Sequence, residues 1–285
     1  MKPIQKSILK TLCFFDILDY PLSLLEVWKF LEIKADLFEV KKELEGLDLA
    51  DSSQGLYFLK NRNGLAEKRL DRYALSDFKF KKILKILRLF PWVKNIAVYS
   101  SLSFSNVKKE SDLDLFVVAK KGRVWSARFF LNLFLKLFCL RPKGEDSQDK
   151  ICLSFLADEN NLNLSVFNEP DDLLYLYGTA QFIFFQKEKD FFLQNLWLKE
   201  ALPNWFEYDL GSRRKMDFLR KNILENILGI VPERVYRSFQ EKILPERIKQ
   251  LKNTNTNVII TDKVIKLHDN DKREKMKDLF SEKFQ

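Results

Sequence analysis

Between Val98 and Val118 the chain reads VYSSLSFSNVKKESDLDLFVV, and its second half alternates. Side chains two apart in a strand share a face, so Leu113, Leu115 and Val117 point one way while Asp112 and Asp114 point the other. The apolar spacing around this segment predicts a strand over 95–99, a short serine-rich turn, a strand over 113–118, a buried helix over FFLNLFLKLFCL (129–140) and a third strand over 150–156. Upstream, Ser23 with Glu26 and Asp36 with Glu39 mark two helix starts. The helix from Leu37 ends at Gly46, and LDLADSSQGLYFLK then alternates around Gly55 like the two strands of a wing. A basic helix follows from Leu65 to Phe90 and stops at Pro91. Beyond Pro170 the periodicity predicts helices over 171–185, 189–201 and 215–251, the last broken at Pro232. KNTNTN (252–257) reads as a polar linker, followed by a short apolar stretch and a charged helix from about Asp271.

This pattern gives an α/β (α+β) chain with a small mixed sheet, divided into a winged-helix-like module (1–62), a sheet domain (63–165), a helical region (166–251) and a linker with a charged tail (252–285). The 26 Phe against 8 Gly argue for an aromatic-packed, helix-rich interior rather than an all-β fold. A net charge of +9 favours anionic partners such as nucleotides, RNA, DNA or acidic lipid, although a lysine-rich solvated surface accounts for it equally well. The helix presumed to read DNA offers Glu39, Lys41, Lys42, Glu43 and Glu45, three acids against two bases, so nucleic-acid binding has little support.

Cys13, Cys139 and Cys152 are widely separated and His268 is the only histidine, which supports neither a zinc cluster nor a disulfide framework and suits a reducing cytoplasm. The first 22 residues begin like a secretion signal, but Asp16 and Asp19 interrupt the apolar run, so a first core helix is expected. The apolar run at 129–140 is too short to span a membrane.

The chemistry therefore rests on the aspartate pair. Two neighbouring carboxylates repel unless a cation lies between them, and hard oxygen donors suit a divalent metal. Along the third strand, Ile151, Leu153 and Phe155 are expected to face the core and Lys150, Cys152 and Ser154 the carboxylates.

Strand, serine turn and Asp-Leu-Asp strand together resemble the nucleotidyltransferase superfamily typified by DNA polymerase beta, and most of all bacterial stand-alone nucleotidyltransferase-domain proteins, some of which carry a winged-helix N-terminus. The signature there is an apolar strand, Gly-Ser, about ten residues, then Asp, an apolar residue and Asp. Here Ser100 and Ser101 are followed by ten residues and then Asp112, Leu113 and Asp114, and the likeness covers residues 78 to about 160. The resemblance implies that Asp112 and Asp114 bind Mg²⁺ or Mn²⁺ and that Ser100 and Ser101 contact the phosphates of an NTP. An NMP would then pass to a hydroxyl acceptor on RNA, protein or a small molecule. Two departures stand out. Ser100 replaces the family glycine, and no acid lies in phase on the third strand, where the family places a third carboxylate. Asp149, out of phase, and Asp158, beyond the strand, are the candidates to supply it if the strand bends. An active enzyme, a degenerate nucleotide-binding or partner-docking protein, and a winged-helix DNA-binding regulator are the three functional readings.

Overall fold

A computed structural model describes residues 1–86, 90–142, 146–186, 188–206, 225–226, 228–269 and 272–284. The first 60 residues form three helices and a hairpin, the elements that capping and alternation predict there. Helix α1 (Pro3–Ile17) is followed by β1 (Leu22–Ser23), α2 (Leu24–Lys29), α3 (Leu37–Glu45), β2 (Ala50–Ser53) and β3 (Leu56–Leu59), with the strands in order β1-β3-β2. Ser23 caps α2 by accepting the Glu26 N–H while the Glu26 carboxylate accepts the Ser23 N–H, which satisfies two backbone donors at once. That carboxylate also receives both guanidinium nitrogens of Arg69, from α4 (Leu65–Ile86), so the cap ties the module to the next helix. The expected cationic side chains Lys81, Lys82, Lys85 and Arg88 lie outside the described residues and side chains.

The second sheet has six strands. Its first members are β4 (Val93–Val98) and β5 (Leu113–Ala119), which pair antiparallel. Helix α5 (Val124–Leu137) then crosses over to β6 (Ile151–Asp158), which lies parallel to β5, as a strand–helix–strand connection requires. Helix α5 buries Val124, Trp125, Ala127, Leu131 and Leu135 against one sheet face, where they meet Leu113, Leu115, Val117, Ile151 and Leu153. The opposite face carries an aromatic layer of Phe116, Phe155, Phe182, Phe184 and Phe191.

Downstream come α6 (Leu173–Ala180), β7 (Ile183–Phe184), α7 (Lys189–Gln194) and α8 (Trp197–Ala201). They are shorter than the periodicity predicts, because the segment around Ile183 leaves the helix to pair with β4 at the sheet edge. Of the long helix expected over 215–251, residues 215–224 and 227 lie outside the described residues; the remainder includes α9 (Glu233–Lys242) and α10 (Glu246–Gln250), separated by Pro245.

The tail departs most from expectation. Beyond the polar segment 252–257, β8 (Val258–Ile260) and β9 (Val264–Leu267) form a hairpin whose second strand pairs with β6, completing the order β7-β4-β5-β6-β9-β8. Val258, Ile260 and Ile265 bury their side chains in the sheet core, an apolar gain that the run VII already offered. Helix α11 (Arg273–Phe284) packs on α1, where Lys283 pairs with the buried Asp16 and Phe280 meets Phe14. One apolar core joins α1–α3 to α6, α8, Trp205 and Phe104 of the serine turn, so the N-terminal module shares its interior with the later helices. Among the described residues no helix is long and apolar enough to cross a membrane.

Candidate functional site

The site is built where β4 ends. Tyr99 is extended, and Ser100 then turns the chain with φ +60, opening a single 3₁₀ turn over Ser100–Leu102. Left-handed backbone is costly for a residue with a Cβ and is the habit of glycine. Ser105, at φ +55, closes the same loop. The turn is held by the Ser100 carbonyl, which accepts the Ser103 N–H (3.1 Å) and hydroxyl (2.8 Å), and by the Asn106 N–H on the Ser101 carbonyl (2.8 Å). Asn106 anchors it to the first module: its amide donates to the Leu18 carbonyl and accepts from Arg72 (2.7 Å).

The connection from this turn to β5 is fastened from inside. Lys79, buried on α4, donates to the carbonyls of Lys108 (3.1 Å), Lys109 (3.2 Å) and Ser111 (2.9 Å) and pairs with Asp149 at 3.2 Å. The backbone immediately before Asp112 is thereby fixed.

Asp112 just before β5, Asp114 on β5 and Cys152 on β6 each direct a ligand atom to one place, all within 4.8 Å of one another. Asp114 and Cys152 are cross-strand partners. The Tyr99 N–H reaches the Asp114 carbonyl at 3.4 Å, joining the serine turn to the aspartate pair, and the Ser100 side chain eases the rise at the Asp114 carboxyl. Burial, and then repulsion from Asp112, push Asp114 up to about 7; burial likewise raises Asp112. Lys272, Lys79 and Arg141 oppose the rise at Asp112 without cancelling it. Burial, reinforced by Asp114, pushes the Cys152 thiol up to about 11, so it is protonated and uncharged at neutral pH.

A hydroxyl and imidazole cluster adjoins this group. The Tyr99 hydroxyl lies 2.9 Å from Ser154 Oγ and 2.8 Å from His268 Nε2, and Ser154 Oγ lies 3.0 Å from the same nitrogen. Ser154 also opposes the rise of the Cys152 thiol.

The expected alternation along β6 fails after Leu153. Two steps on β5, from Asp114 to Phe116, face three on β6, from Cys152 to Phe155, which is a β-bulge. Phe155 consequently joins the aromatic layer rather than facing the core beside Ile151 and Leu153, and Leu156 takes that inward place. The bulge leaves Cys152 and Ser154 on the carboxylate side.

Neither candidate third acid is there. Asp158 pairs with Ala119 at the far end of the strands and spends its carboxylate on the N–H groups of Gly122 (2.5 Å) and Asn160 (2.9 Å). Asp149, itself left-handed at φ +57, is turned to Lys79. Cys152 is the group that joins Asp112 and Asp114 there.

Comparison with models of known protein families, with curated proteins and with solved structures gave no match. Two half-buried carboxylates, one retaining its proton to about 7, have too little positive charge around them, and a hard divalent cation fits that need. A neutral thiol is a poor ligand for Mg²⁺, so the set fits one such ion on Asp112 and Asp114 better than two.

Replacing Ser100 with glycine tests the turn. Relief of left-handed strain and the greater chain entropy of glycine oppose one another, so Ser100→Gly is expected to stay within about 1 kcal/mol of wild-type stability. Loss of the hydroxyl should raise the Asp114 titration further, read by carbon NMR of the aspartate carboxyls. An unmoved titration would show that the Ser100 hydroxyl does not hold the carboxylate.

Proposed function

We propose that this protein is a divalent-metal-dependent nucleotidyltransferase of the polymerase beta type, moving an NMP from an NTP to a hydroxyl acceptor. The observation that carries the reading is the convergence of Asp112, Asp114 and Cys152 within 4.8 Å of one another, next to a serine turn that is left-handed at Ser100, where the resemblance places glycine. Asp112 and Asp114 would hold the cation. That ion, when bound, offsets phosphate charge and makes the α-phosphorus more electrophilic. Ser101 and the backbone N–H groups of the turn would contact the outer phosphates, and the Lys79 anchorage keeps both halves of the site in register.

Cys152 supports a second reading, in which the same face binds nucleotide without transferring it. A protonated thiol can neither share a second ion nor take the acceptor's proton, the two tasks of a third carboxylate.

Calorimetric titration with ATP, CTP, GTP and UTP in Mg²⁺ or Mn²⁺, with pyrophosphate release measured in parallel, separates the two. The enzyme reading expects both binding and release, and a fall in release of about 100-fold or more in Asp112→Asn. Binding without release selects the second reading, and release that persists unchanged in Asp112→Asn excludes the first.

A further inference from the structure

The last strand brings the chain's only histidine to the edge of the proposed site. His268 follows β9, and its N–H donates to the Asn257 carbonyl at 3.1 Å, which fixes the backbone there. Its ring stacks on Tyr99 and meets Phe155 edge-on. Nε2 faces two hydroxyls, Ser154 at 3.0 Å and Tyr99 at 2.8 Å, which also bond each other. Ser154 lies two residues beyond Cys152 on β6, and Cys152 is the cross-strand partner of Asp114.

We propose that Ser154 and His268 form a proton relay that receives the acceptor hydroxyl's proton, replacing the third carboxylate that this chain lacks. The inference rests on the nucleotidyltransferase reading and assigns it a base. The other nearby groups are unsuited to that task. Asp112 and Asp114 are committed to the cation, Cys152 retains its proton, and burial raises the Tyr99 phenol well above its ordinary value, leaving it a neutral donor. An imidazole nitrogen with a lone pair is the remaining acceptor in the network.

In the step, the acceptor's O–H bond breaks as its oxygen bonds the α-phosphorus. The bond from that phosphorus to the bridging oxygen breaks, and pyrophosphate leaves with the electron pair. The proton passes to Ser154 Oγ while the Ser154 proton passes to His268 Nε2, leaving an imidazolium. Tyr99 from β4 orients the pair. Phe155 from β6 covers one edge of the ring, Lys272 lies four residues further along, and Asp269 beside His268 is engaged by Arg247 at 3.6 Å.

Because the chain has one histidine, nitrogen NMR of the imidazole reports this group alone. Adding Mg²⁺ with a non-hydrolysable ATP analogue is expected to shift its titration in the wild type and not in Asp114→Asn. Pyrophosphate release, with Mn²⁺, the four NTPs and glycerol as the probe hydroxyl, is then followed from pH 5 to 9. His268→Gln is expected to lose about 100-fold in rate and the acidic limb of the profile, with NTP affinity within about twofold of wild type. Ser154→Ala should lose the same limb, and added imidazole should restore part of the rate in His268→Ala.

Wild-type rates and an unchanged pH profile in both His268→Gln and Ser154→Ala overturn the relay while leaving the nucleotidyltransferase reading in place. Nucleotide binding without release in the wild type overturns the relay and selects the binding reading. Release that survives Asp112→Asn overturns the underlying reading itself.

Discussion

The Asp114→Asn variant, freed of divalent cations, is expected to be more stable than the wild type at pH 8 and close to it at pH 4. Asp114 holds its proton up to about 7 in the folded chain, whereas an unfolded aspartate releases it near 4. Between those values the folded state binds more protons than the unfolded state, so this group's contribution falls as pH rises through that window. The stability is therefore fully present below about 4 and lost above about 7. At full effect the difference corresponds to about 4 kcal/mol, which partial exposure of the pair reduces to about 2 kcal/mol. An amide has no charge to lose, so the variant escapes the penalty.

Denaturant unfolding at pH 4, 6 and 8 measures it, and comparison of the two proteins cancels the other titrating groups. Mg²⁺ or Mn²⁺ should reverse the order at pH 8, because ligand that binds only the folded state stabilises the wild type by mass action. Curves that neither converge at low pH nor respond to the cation would remove the case for a metal on this pair.

A second large effect is expected at Lys79. Its ammonium sits inside the protein on three carbonyls and one carboxylate. Lys79→Met leaves Asp149 without this cation and three carbonyls without this donor, a loss of about 3 to 5 kcal/mol by analogy with broken buried ion pairs. Those carbonyls belong to the segment that delivers Asp112, so nucleotide affinity should fall with stability. The double variant Lys79→Met with Asp149→Leu removes the stranded charge, and recovery of about half the stability without recovery of affinity would separate the electrostatic from the positioning role. A single variant that unfolds like the wild type would show that the loop is held by other contacts.

Much of the site was legible because its signal is local. Alternation across Asp112–Val117 puts both aspartates on one face by strand geometry alone, and the ten-residue spacing to Ser100 and Ser101 marks the turn. The third strand was harder to read. Simple alternation assigns Phe155 to the core with Leu153, but pairing against β5 introduces a bulge that sends Phe155 to the other face. No periodicity within ten residues contains that information, since a bulge depends on the register of a partner strand.

The remaining groups were invisible for a related reason. Ser154 and His268 are 114 residues apart in sequence, and a single histidine in a charged tail looks like a surface residue until β9 pairs with β6. Lys79 reads as one lysine among several on a basic helix, and only packing shows that it points inward.

The sequence by itself determined the local elements, the capped helices of the first module, the shared face of Asp112 and Asp114, and the want of an acid in phase on the third strand. These follow from backbone periodicity and capping chemistry, which act over a few residues. Tertiary structure decided that Cys152 joins Asp112 and Asp114, that Asp149 and Asp158 are engaged elsewhere, and that the tail supplies both a sheet edge and the imidazole beside the site. Those outcomes depend on which strands pair and which charges are buried together, and chain segments far apart in sequence settle them by burying apolar surface and satisfying one another's polar groups.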